Sequence, residues 1–113
     1  TDHALFLEKT MPPLHVLLHA PTPEALIRAR RNAVNLQKAR PDAEVLIVAN
    51  ASAVIAALTT PDETDSMLRL CRNSLVAQGL DNTRTLTEVD AAVVTLAELQ
   101  AKGWAYILSA LNV

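Results

Sequence analysis

Few residues in this chain have side chains suited to covalent chemistry, and the clearest is Cys71, the only cysteine. It lies in Met67-Leu68-Arg69-Leu70-Cys71-Arg72-Asn73-Ser74-Leu75-Val76-Ala77-Gln78-Gly79-Leu80, which also holds one of only two glycines. This pattern predicts a short strand ending at Cys71, a turn through Arg72 and Asn73, and a helix capped by Asn73 and stopped by Gly79. A thiol at a helix start faces N–H groups without helical partners and the positive end of the dipole. Both favour the thiolate, so the chemistry would be nucleophilic or sulfur-carrying. Two other readings stand beside it. Cys71 also suits a small apolar core position, and Leu68, Cys71 and Leu75 fit a single helix over 66–78 with Asp65 or Ser66 as cap.

His19 and Asn50 fall at the predicted ends of two further strands. In an open parallel sheet, ligands bind beyond the carboxyl ends of the strands, so these two residues and Cys71 are expected to converge. His19 would then accept the thiol proton or pair with the thiolate, and Asn50 would donate a hydrogen bond. The amides of the Asn73-Ser74 helix start would hold an anionic sulfur. Simpler roles are a strand-end histidine bonded to backbone and a turn or cap asparagine. His15 and His19 are four apart on a strand, about 13 Å, too far to share a metal. Gly79 and Gly103 are the only glycines and neither sits in a strand-to-helix phosphate loop, so no nucleotide fingerprint is present. No serine occupies a G-x-S-x-G elbow. No metal or organic cofactor is expected.

The elements that must position these residues follow from the apolar pattern. Leu14-His15-Val16-Leu17-Leu18-His19-Ala20 is a nearly continuous apolar run stopped by Pro21, the mark of a strand covered on both faces. Thr22-Pro23-Glu24 supplies a cap, a proline at the first helical position and an early acid. Leu26, Ala29, Ala33 and Leu36 then face inward, with Arg28, Arg31, Asn35 and Lys38 opposite, on a helix ending before Pro41. Its basic side, with Arg30 and Arg40 nearby, is either solvated or open to an anionic partner. Residues 43–49 form a second buried strand, and 51–58 a short helix. A polar connection over 59–65 leads to the central stretch. After a second connection over 81–88, Val89 is a possible strand end and Asp90 a cap. The helix through Lys102 is expected to bury Ala92, Val93, Leu96 and Leu99, to pair Glu98 with Lys102, and to end at Gly103. Trp104 to Leu108 is the last strand, and Asn112-Val113 is expected to fray or lie at an interface.

The 113 residues fit one domain over 14–113 preceded by an arm over 1–13, whose Leu5, Phe6 and Leu7 suit packing on the body or on a neighbouring subunit. Half the residues are apolar but only 3% aromatic, so Leu, Val, Ile and Ala must build the core. The alternation of strands and helices predicts an α/β, three-layer α/β/α domain with a mostly parallel sheet of about five strands. A formal charge of −2 gives no positive field for nucleic acid, and stacking aromatics are scarce. A lone cysteine forms no internal disulfide, and neither a spanning segment nor a leader is legible. A soluble, cytoplasmic protein is expected.

Leu70-Cys71-Arg72-Asn73-Ser74-Leu75, with Gly79-Leu80 downstream and then Leu99-Gln100-Ala101-Lys102-Gly103-Trp104-Ala105-Tyr106-Ile107, resembles the DsrE/DsrF-like family of small sulfur-relay domains. The runs from Asn32 to Leu36 and from Asn50 to Ile55 resemble its first and second helical regions. The resemblance spans about Leu14 to Ile107. It implies a three-layer fold assembled as a homotrimer or hexamer, with Cys71 carrying a persulfide between a donor and an acceptor protein. This chain departs from the family in having Arg72 where many relatives have glycine, and in having no second cysteine. Arg72 would either stabilise a thiolate or obstruct it. Two other functions stay open: a non-catalytic oligomeric module that binds a small ligand or partner with Cys71 structural, and a redox-sensing thiol.

Overall fold

The computed structural model describes residues 13–109. Most of the arm over 1–13, with Leu5, Phe6 and Leu7, and the end at Asn112-Val113 lie outside the described residues. The elements are β1 (His15–Ala20), α1 (Pro23–Ala39), β2 (Glu44–Ala49), α2 (Ala53–Thr59), a 3-10 turn (Asp65–Met67), β3 (Leu68–Cys71), α3 (Arg72–Ala77), β4 (Glu88–Val89), α4 (Ala92–Ala101) and β5 (Ala105–Leu108). All five strands run parallel, in the order β4-β3-β2-β1-β5.

The three layers follow from this order. From β1 to β4 the chain steps toward one edge, and the last crossover carries it back past β1 to the other edge. With crossovers of a single hand, reversing the direction of travel moves the helix to the opposite face of the sheet. Accordingly Val16, Leu18, Ala20, Val45, Ile47, Ala49, Leu68 and Leu70 pack with residues of α1 and α2 and with Leu75 of α3. Leu17, Val48 and Cys71 point the other way, onto Ala92 and Leu96 of α4, with Leu46, Leu99 and Trp104 at the margin. Ala25, Ala29 and Ala33 line the buried side of α1, small enough to bring that helix close to the strands. Thr22 caps α1 by accepting the Ala25 amide at 3.0 Å, and Pro23 sits at its start.

Several expectations need correction. There is no turn at Arg72-Asn73: α3 begins at Arg72, so Cys71 itself is the N-cap and Asn73 lies within the first turn. Asp90 does not cap α4, because its carboxylate is drawn to Arg72 and the cap position is Ala91. Val93 is 73% exposed, while Ala92 and Leu96 face the sheet. Among the described residues no ion pair joins Glu98 to Lys102. Arg30 on the basic side of α1 is held at 3.3 Å by Asp65, whose other oxygen takes Arg84 at 2.6 Å, so that part of the face is an internal brace. Among the described residues no helix is long and apolar enough to cross a membrane.

Candidate functional site

Cys71 ends β3 in extended conformation and opens α3 without a bend between them, which sets its sulfur beside two helix starts. The Ala92 amide, the first of α4, donates to Sγ at 3.4 Å. That N–H is one of the orphan donors of a helix whose own N-cap, Ala91, has no side-chain oxygen to offer. Cys71 is 5% exposed and belongs to the cluster of Leu17, Val48, Ala92 and Leu96. Burial pushes the thiol pKa up, but the Ser74 hydroxyl and the amides of Ala92, Ser74 and Asn73 outweigh it, so the net displacement is downward.

Ser74 is held in place from its other side. Its Oγ accepts the Ala51 amide at 2.9 Å, which occupies a lone pair and leaves the hydroxyl proton for the sulfur. Gln78, one turn further along, donates from Nε2 to the Ala51 carbonyl at 2.8 Å. Ala51 is in the left-handed region, with φ 51°, where residues other than glycine are uncommon. α3 therefore grips both polar groups of one unusual peptide corner. Beyond it, Gly79 at φ 64° ends the helix, with the Leu80 amide donating to the Leu75 carbonyl at 2.9 Å.

Arg72 points away from the sulfur. Its Nε donates to Glu88 at 2.9 Å and its Nη1 to Asp90 at 2.6 Å, tying the start of α3 to the edge of the sheet. The Glu88 carboxyl is held below the usual carboxylate range by the Asn82 amide and then by Arg72. Arg72 thus answers to two carboxylates.

His19 and Asn50 meet each other rather than the thiol. His19 Nε2 lies 2.9 Å from Asn50 Oδ1, and on its other side Nδ1 lies 2.7 Å from the Tyr106 hydroxyl. An amide oxygen only accepts, so Nε2 carries the proton and neutral His19 keeps Nδ1 as the acceptor of the Tyr106 O–H. Tyr106 is registered opposite Leu17, and its side chain leans along the strand to reach the histidine two residues on. His19 is level with Arg69 of β3, two strand spacings or about 10 Å to the side, and Cys71 lies two residues further along that strand. The residues picked from the sequence therefore fall in three places: Cys71 beside Asn73 and Ser74 at the start of α3, His19 with Asn50, and Arg72 with Glu88 and Asp90.

No protein-family model matches the chain, and no curated protein matches it. Sequence reasoning missed Tyr106 and Ala51 as site residues. The one available signal for Tyr106 was its being the sole tyrosine, within the last strand. Among the described residues no group of three or more His, Cys, Asp or Glu could hold a metal ion. A groove of about 480 Å³ on α1, lined by Ile27, Arg30, Arg31, Val34, Asn35, Asp62 and Glu63, shares no residue with any of these places.

Proposed function

We propose that this chain is a sulfur carrier or sulfurtransferase subunit of the DsrE/DsrF-like kind, acting through a persulfide on Cys71. The observation that carries the reading is the Ala92 amide donating to the sulfur at 3.4 Å where Cys71 itself opens α3, so that the sulfur lies beside the starts of two helices. A thiol that only fills space has no use for an amide donor, whereas a thiolate or persulfide anion is stabilised by it and by the positive ends of the two helices. The Cys71 thiolate attacks the outer sulfur of a donor persulfide, the donor S–S bond breaks, and the donor leaves as a thiolate. The new outer sulfur, anionic, is held by the same helix starts until an acceptor thiolate attacks it and releases Cys71. The assembly is a homotrimer or hexamer in the cytoplasm, with donor and acceptor proteins as partners.

A second reading is favoured by the 5% exposure of Cys71 and its apolar neighbours. In it the cysteine is structural, and the chain is an oligomeric module that binds a small ligand or partner. Intact mass after incubation with a sulfane donor separates the two. Added sulfur on the wild type and none on Cys71→Ala is the expected result. A wild type that gains no sulfur and alkylates only on unfolding leaves the binding module.

A further inference from the structure

Tyr106, His19 and Asn50 lie outside the sulfur's surroundings, and their geometry has its own chemistry. A nucleophile is activated when its hydroxyl is hydrogen-bonded to a base and the base is oriented by a third group; each contact lies within about 2.6–3.2 Å. Tyr106 to His19 at 2.7 Å and His19 to Asn50 at 2.9 Å meet that condition. Asn50 sets the tautomer in which the basic nitrogen faces the hydroxyl. The ring centroids of His19 and Tyr106 are 5.7 Å apart and tilted by 50°, so the pair meets through the hydroxyl and is not stacked. Tyr106 is 40% exposed, on a strand whose side chains all reach solvent, so a reagent has access to the oxygen. The strand order reverses between β1 and β5, where His19 and Tyr106 meet, and open α/β sheets bind ligands at such a reversal.

We propose that Tyr106 is a nucleophile activated by His19, with Asn50 as positioning residue, and that it accepts an acyl group from an activated ester or thioester. The Tyr106 oxygen attacks the acyl carbon and forms the new C–O bond while its proton passes to His19 Nδ1. The bond from the acyl carbon to the leaving group then breaks. The leaving group departs with that electron pair and takes the proton from Nδ1, so His19 returns to its starting state. Cys71 takes no part, and the proposal stands or falls separately from the persulfide reading.

The test is acetylation of the full chain with N-acetylimidazole or p-nitrophenyl acetate, followed by intact mass and peptide mapping to the single tyrosine. The expected rate of Tyr106 labelling reaches a plateau with rising pH, because the histidine and not hydroxide takes the proton. An unassisted phenol instead gains about tenfold per pH unit up to a pKa near 10. His19→Gln slows labelling by roughly 100-fold, within the range of general-base assistance. Asn50→Ala slows it by roughly tenfold, the scale on which a histidine's orienting partner acts. Tyr106→Phe abolishes it. Long-range proton–nitrogen NMR of the wild type is expected to place the His19 proton on Nε2, and Asn50→Ala to give a mixture of tautomers. A labelling rate that climbs to pH 10 and ignores His19→Gln overturns the proposal, as does a wild-type His19 protonated on Nδ1. Should His19→Gln fail to fold, the wild-type pH profile and tautomer decide alone.

Discussion

The thiol of Cys71 and the phenol of Tyr106 stand on one sheet in opposite surroundings. Cys71 is buried beside the starts of α3 and α4 and takes the Ala92 amide, so whatever charge it carries is stabilised in place by fixed dipoles. Tyr106 is exposed and faces a single base, which has somewhere to put a proton but nothing to hold an anion. Low surrounding dielectric strengthens the first arrangement and makes each donor count. The second depends on one aligned contact and on the amide that aligns it. The lesson is that strands of one parallel sheet carry side chains of different chemistry, and the partners that each meets decide what it can do.

The sharpest way to break this contrast is Leu75→Ala. Leu75 is the one buried side chain of α3, so its loss is expected to cost about 2–5 kcal/mol in chemical denaturation. It also loosens the Ser74 and Asn73 donors. Thiol alkylation near neutral pH should slow while acetylation of Tyr106 holds; a parallel fall in both would show that the two corners are one unit. Next in size is Ser74→Ala, which removes a donor from the sulfur and is expected to slow alkylation at pH 7 by roughly tenfold. The sign of its pH dependence follows from the lowered thiol pKa. Stability from the favoured thiolate is complete above the unfolded thiol's pKa and is lost as pH falls through the lower folded value. The stability gap between wild type and Ser74→Ala should therefore widen from pH 7 to pH 10. Ala51→Gly comes third. Relief of the left-handed strain offsets the glycine's extra unfolded-state freedom, so stability should change by less than about 1 kcal/mol. Arg72→Gln is the smallest: two ion pairs of an exposed arginine are lost, and neither melting nor thiol titration should move measurably.

How far the sequence led can be judged element by element. β1, α1 and β2 were legible because their signals are local: an apolar run stopped at Pro21, a threonine cap with proline behind it, a second apolar run. At the junction of β3 and α3 the strand end was found, but a turn was expected because Asn73 is a good cap. The backbone of Cys71 makes the passage directly, and the orphan amides turn to the sulfur and to the Asp90 carbonyl. Asp90 likewise had the right chemistry for a cap, but Arg72 sits 18 residues away in sequence and 2.6 Å away in space. Tyr106 was placed in a strand and given no role, since nothing local reveals that β5 lies beside β1 rather than at the far edge next to β4. Strand order is a property of the whole chain, and the pairing of His19 with Tyr106 depends on it.

The order β3-β2-β1-β5 puts three strand spacings, about 14 Å, between the sulfur-bearing strand and the tyrosine-bearing one. A metabolite-sized visitor meets one centre at a time. A protein partner, whose footprint is commonly about 800 Å², spans that interval with ease and shades both together. Docking for an errand at either residue would then silence its neighbour for as long as the complex lasts.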